Sequence, residues 1–515
     1  MRQGNIRFAI FVLLSLLTMS CYKDLSTEAT QTLSDIEITS ELERFDIYYG
    51  DTFTFTPEVK IKGRKASDIE YKWEMTLTPM DDDYELELGT DKTLSFFVGN
   101  SPASSPYIIR LTVTDKETGL VRSKCWNTYV SSQLGEGILV AHTDDGGKTS
   151  ELALIKSKYV TAGYTSSPRI VHNLFATSNG GPIQGRVNAL APVARSNGAT
   201  YNLNHVYIGT ETDLLAVNYL DYKEDEKNAT LFNFQEGKEH VSVEHIFCYG
   251  QYGIGLLTNG DFYNFMSHNS YLFSPVKYFG EPSNIFTKKM IAAAKSSFGA
   301  IFMVDVNAGK FFYMNGRLNG AITEMMDVKA TYSLKGAEAM ACGIMKQDKV
   351  GFVLKASDGT YYATVITSDG LISSNTDYNL SEISSDIKDA KGFAFCDNTD
   401  FFYYYNDREI KVVKTVGKNV TISKITWSPD TKTEKITGMC HYHQGWYGTQ
   451  NITGEYEHTI DTHRLQVVIT TYDETTGEGR IYLRPFNLTT GLFARESNGV
   501  YEGFNEITAI ATTFR

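Results

Sequence analysis

His441 and His443 stand two residues apart in the stretch His441-Tyr442-His443-Gln444-Gly445-Trp446-Tyr447, with His458 and His463 following. In a strand, side chains at i and i+2 leave by the same face, so the two imidazoles offer the paired nitrogens that a divalent metal uses. The plainer expectation is solvated polar residues on an edge strand or loop, and no metal and no cofactor are assigned. Trp446 and Tyr447, with Tyr456 nearby, suit a stacking platform for a sugar ring as well as they suit edge packing. Asp81-Asp82-Asp83 and Asp144-Asp145 lack the spaced oxygens of a calcium loop and are expected to cap turns. No nucleophile elbow, phosphate loop, zinc signature or dinucleotide fingerprint is present, so no catalytic residue is assigned and binding is favoured over catalysis.

The elements that must carry these residues follow from composition and repetition. Thirty-two Tyr, 29 Phe and 42 Gly against 11 Pro in 515 residues favour short strands joined by tight turns, an all-β chain. Between residues 135 and 515 a segment of small residues recurs seven times. The copies end Ala189-Leu190-Ala191, Ile246-Phe247-Cys248, Ala292-Ala293-Ala294, Met340-Ala341-Cys342, Ala394-Phe395-Cys396, Gly438-Met439-Cys440 and Ala509-Ile510-Ala511. Every copy but the last precedes a two-strand hairpin. The seventh hairpin, Gly137 to Ile155, lies ahead of the first copy. That displacement predicts a seven-bladed β-propeller over 135–515, closed by strands from both ends of the region. The small positions belong to innermost strands crowded at the axis and face the next blade, which makes Cys248, Cys342, Cys396 and Cys440 packing groups rather than disulfide or metal partners.

The repeat register also picks out charges. Five residues before each Cys or Ala stand Arg186, Lys289, Lys391, Lys435 and Glu506, with Val243 and Ala337 in the other two copies. These positions begin the innermost strands and ring one mouth of the channel, where four cations on an acidic protein would suit a carboxylated or sulfated ligand. Ordinary strand-end charge is the simpler alternative.

Residues 35–130 alternate short apolar runs with turn residues, the size of an immunoglobulin-like sandwich, with Trp73 as its inter-sheet plug. Ahead of it, 1–20 has the order of a signal peptide: Arg2 and Arg7, an apolar stretch from Phe8 to Leu17, then small or polar residues. Residues 21–34 are polar and predict a flexible tether. The formal charge of −13 becomes −15 once residues 1–20 are removed, which argues against nucleic acid as partner and against electrostatic adhesion to lipid.

Cys21 after Leu17-Thr18-Met19-Ser20 resembles a bacterial lipoprotein processing site, and Tyr22-Lys23-Asp24 resembles the surface-export signal of Bacteroidota lipoproteins. Tyr71-Lys72-Trp73-Glu74 and, further on, Tyr107 to Asp115 resemble strands of polycystic-kidney-disease (PKD) sandwich domains. The turn usual after that Trp is missing, which points to the PKD-like variant found on Bacteroidota lipoproteins. What the resemblance implies is an outer-membrane, surface-exposed protein anchored in the bilayer through acylated Cys21. It would work beside a nutrient-uptake transporter and its surface lipoprotein, binding a glycan or peptide. A protein–protein scaffold in such a complex, and a propeller-type glycoside hydrolase or lyase, are the alternatives.

Overall fold

The computed structural model describes residues 36–513, apart from 62, 103–104, 163, 197–200, 250–252, 267–271, 277–285, 295–299, 316–320, 369–372, 425–426 and 445–459. Residues 1–35, with the signal peptide, Cys21 and the tether, lie outside the described residues, as do Trp446, Tyr447, Tyr456 and His458. The chain divides into two compact units, the second of which holds 129–515.

The first unit is a sandwich. Its larger sheet runs, in order, Arg44–Tyr48, Val121–Ser131, Tyr107–Asp115, Ile69–Met75 and Leu86–Gly89, and two-stranded ribbons pair Thr52–Phe55 with Leu94–Phe97 and Ile36–Thr39 with Glu58–Ile61. Tyr107–Asp115 alternates buried and half-buried residues along its length, the two-residue period of a strand with one face in a core. Trp73 is fully buried as expected, and two neighbours not foreseen from the sequence complete the plug. Trp126 stacks on it with ring centroids 5.7 Å apart, and Phe55 meets it edge-on at 6.2 Å. Strands Arg44–Tyr48, Glu58–Ile61 and Leu86–Gly89 are only four or five residues each. The acidic turn is closed on itself, for Asp81 accepts from the amides of Asp82 and Asp83 and from the Thr78 hydroxyl.

The second unit contains, among the described residues, seven antiparallel sheets of at least four strands that form the blades of a propeller. The innermost strands of blades 1 to 6 are Val187–Ser196, Val243–Tyr249, Ile291–Ala294, Glu338–Ile344, Gly392–Phe395 and Glu434–His441. Each predicted hairpin forms the next two strands of its blade. Blade 7 is shared between the ends of the region: its innermost strand Glu506–Thr513 pairs antiparallel with Gly137–Thr143, in register Leu139 to Ala511 and Gly137 to Thr513. Thr149–Lys156 and Arg169–Val171 complete it. The Asp144-Asp145-Gly146-Gly147 turn of this blade is capped from within. Asp145 accepts from the Thr149 amide and from the Thr143 and Thr149 hydroxyls, and the Thr149 amide bond leads the interactions that depress its carboxyl to about 2.

Blades meet where small residues let backbones approach. A Cβ on Gly343 of blade 4 would stand 2.5 Å from Cβ of Phe395 in blade 5, and one on Gly351 would stand 2.4 Å from the same ring. Gly209 of blade 1 faces Val243 of blade 2 in the same manner. The cysteines follow the crowding argument with one correction of direction: Cys248 Sγ lies 3.8 Å from the Pro192 carbonyl and Cys342 Sγ 3.6 Å from that of Lys288, so both face the preceding blade rather than the next. Cys396 is fully buried, and burial raises its thiol well above the ordinary range, which keeps it protonated and unreactive.

His142, in the strand that closes the ring, is an imbalance within this core. It is buried, and neither ring nitrogen meets a hydrogen-bond partner among the described residues. Burial, aided by His172 and opposed by Asp144, lowers its affinity for a proton. A folded value below the unfolded one, about 6.5, leaves stability intact above that pH and removes it as pH falls below it toward the folded value. His142→Phe, placed against Phe504, whose ring lies 6.0 Å away, is expected to stabilise the fold by about 1 kcal/mol at pH 5 and to flatten this part of the pH dependence. Urea midpoints at pH 5 and 7.5 check it.

Candidate functional site

The axis is where the propeller keeps accessible surface. Strands second from the axis are buried throughout, as in Gly137–Thr143, Gly253–Thr258 and Phe401–Tyr405. The innermost strands of blades 1 to 3 are likewise mostly buried, but those of blades 4, 6 and 7, deeper in the ring, are not. Met340 through Ile344 and Thr508 through Thr512 are half-exposed at every position, and Thr437 is exposed in mid-strand. Successive residues of a strand face opposite sides, so exposure at every position means solvent reaches the axis along the strand.

At the face where innermost strands begin, the ring of charges is partly self-neutralised. Arg186 and Glu506, on neighbouring blades 1 and 7, form a two-pronged ion pair with Nη2 to Oε1 at 2.7 Å and Nη1 to Oε2 at 3.2 Å. Lys435 pairs with Glu474 at 2.8 Å, an exposed contact worth little in stability. Among the described residues no carboxylate pairs with Lys289 or Lys391, and both are exposed. The four-cation mouth therefore reduces to two lysines, on blades 3 and 5.

At the opposite face, where innermost strands end, the histidines prove to be buried rather than solvated. The side chains of His441 and His443 are 4% and 10% exposed and flank Asp397, which follows the innermost strand of blade 5. His441 Nδ1 lies 3.3 Å from Asp397 Oδ1 and His443 Nε2 lies 3.5 Å from Oδ2. Arg464 places Nε 3.1 Å from Oδ1, and its backbone carbonyl accepts from His441 Nε2 at 3.1 Å and from Asn398 Nδ2 at 2.7 Å. Arg464 adopts a left-handed backbone (φ 58°), a conformation costly for a residue with a side chain and one that the surrounding contacts must hold. Burial works against the charge of Asp397, but His441, His443 and Arg464 outweigh it and hold the carboxyl far below its usual range. Next to them His463 Nδ1 accepts from the Gln444 amide at 2.9 Å, and Gln444 Nε2 in turn donates to buried Glu136 at 3.0 Å.

Asp397 was missed from the sequence, yet a signal for it exists. It follows Cys396 as His441 follows Cys440, so the two occupy the same register position on adjacent blades. The same rule pairs Arg186 with Glu506 across the closure.

No curated protein matches the chain. Among solved structures, a quinonprotein alcohol dehydrogenase-like protein from Bacteroides thetaiotaomicron is similar over 91% of this chain and 96% of its own, at 12% identity and TM-score 0.41. The Cps50 (Swd1) β-propeller domain of Myceliophteria thermophila is similar over 67% and 96%, at 7% identity and TM-score 0.38. Apo AztD from Citrobacter koseri is similar over 86% and 98%, at 9% identity and TM-score 0.35. The fold assignment rests on the sheet order and ring closure described above. Residues 21–186, running from Cys21 past the sandwich to the last residue before blade 1, match the model of the PKD-like family.

Proposed function

We propose that this protein is a lipid-anchored, surface-exposed binding protein that presents a propeller to a glycan or peptide beside an outer-membrane uptake system. The observation that carries the binding reading is the solvent access along the innermost strands of blades 4, 6 and 7, a concave setting of the kind in which ligands bind. Exposed Lys289 and Lys391 at one mouth favour an anionic ligand on a chain of net charge −13. The anchoring part rests on Cys21 with Tyr22-Lys23-Asp24, and the family match that begins at residue 21 supports it.

The test is a glycan array and peptide panel probed with the full chain, followed by titration of the hits. At least one class is expected to bind with Kd below about 1 mM, and Lys289→Ala/Lys391→Ala is expected to weaken anionic hits about 10-fold. No binding in either panel, together with capture of a transporter lipoprotein, would replace this reading with the scaffold.

A further inference from the structure

We propose that Asp397, His441 and His443 form a binding site for a divalent transition-metal ion, zinc foremost. His441 turns both ring nitrogens toward oxygen acceptors. Its Nε2 faces the Arg464 carbonyl at 3.1 Å, and a carbonyl only accepts, so Nε2 carries the hydrogen. Its Nδ1 is turned toward a carboxylate, 3.3 Å from Asp397 Oδ1. The buried Nδ1 meets no well-aligned hydrogen-bond partner among the described residues. A metal ion held between the imidazole and the carboxylate would occupy this gap. The carbonyl bond to the far nitrogen is the outer-shell contact that fixes the tautomer of metal-ligating histidines.

Distances agree. Donor atoms about 2.0–2.1 Å from a tetrahedral zinc stand about 3.3–3.4 Å from one another. The two carboxylate-to-imidazole separations are 3.3 and 3.5 Å, and one donor atom from each of the three residues falls within a common span of 4.8 Å. Arg464, with Nε 3.1 Å from Oδ1, orients the carboxylate from outside the cluster. Two imidazoles and one carboxylate are a zinc-type donor set, with a water or an exogenous donor as fourth ligand. His463 is not that fourth ligand, because Nδ1 accepts from Gln444 and Nε2 therefore holds the ring proton. The placement favours affinity: Asp397 comes from blade 5 and the histidines from blade 6, so the fold supplies the geometry before any ion arrives.

The test titrates zinc chloride into the chelator-treated full chain by calorimetry. One ion per chain with Kd of about 1 µM or tighter is expected, and Asp397→Asn and His441→Ala/His443→Ala are each expected to bind at least ~100-fold more weakly. Melting curves establish that the variants remain folded. Cobalt(II) loaded into the unaltered chain gives a readout that needs no variant, since a tetrahedral site of nitrogen and oxygen donors absorbs in the visible. Absence of binding tighter than about 100 µM overturns the proposal. So does one tightly bound ion whose affinity is unchanged in the folded double-histidine variant.

Discussion

Removal of residues 506–515 is expected to abolish cooperative folding of the whole second unit, not merely of its last blade. Glu506–Thr513 is the innermost strand of blade 7, paired along its length with Gly137–Thr143 and packed against the innermost strand of blade 1. Without it the edge of Gly137–Thr143 loses its ladder, Arg186 loses Glu506, and the core around Leu139, Leu152, Leu154 and Ile208 loses Ala509 and Ala511. Each blade is a sheet with two apolar faces that it cannot bury alone, so an open ring exposes a face at each side of the gap. The loss is expected to be comparable with the ~5–15 kcal/mol by which a domain is stable. A truncated chain should therefore give, for residues 129–505, no cooperative thermal transition in calorimetry. A normal transition would mean that six blades suffice.

Gly343→Val is expected to be the most damaging single substitution near the axis. Gly343 has ordinary backbone angles, so its requirement is one of space rather than conformation. The atoms that a new Cβ would meet at 2.5–2.6 Å are Cβ, Cγ and Cδ2 of Phe395, close to the neighbouring backbone and unable to swing aside. Phe395 is further fixed by stacking on Phe402, with ring centroids 4.9 Å apart. Overpacking typically costs about 1–3 kcal/mol, and here relief requires moving a neighbouring blade, so about 3 kcal/mol or more is expected. A double-mutant cycle supplies the control. Phe395→Ala alone should cost about 3–5 kcal/mol, whereas in the Gly343→Val background it should cost much less, because the valine fills the space vacated. Additive losses in urea melts would refute the contact between blades 4 and 5.

How far the sequence reached depended on whether a feature was repeated. The seven small-residue strands and their hairpins were legible because each recurs with two-residue alternation, and the displaced first hairpin revealed the closure. The outer strands of blades 2 and 3, Ser274–Pro275 and Thr323–Glu324, are two residues long and show no period at all. Register placed Arg186, Lys289, Lys391, Lys435 and Glu506 at the starts of innermost strands but could not show that Arg186 pairs with Glu506, because pairing depends on which blades are neighbours across the closure. His441 and His443 were visible as a pair on one face; their burial, and the carboxylate that joins them from another blade, were not. Register would have supplied Asp397, since residues equivalent along the repeat are adjacent around the ring. Trp126 escaped notice because one indole in an ordinary strand carries no sign of its partner, whereas Trp73 sat in a recognisable strand motif.

Ring closure is the premise on which the axial site, the paired charges and the Asp397–His441–His443 cluster all stand. Amide hydrogen exchange of the full chain tests it most directly. Closure predicts that the amides of Ile507 to Thr513 exchange as slowly, within about 10-fold, as those of Glu338–Ile344, since both would open only with the whole ring. Exchange of the C-terminal strand at the rate of an unstructured chain, with the other blades still protected, would contradict it.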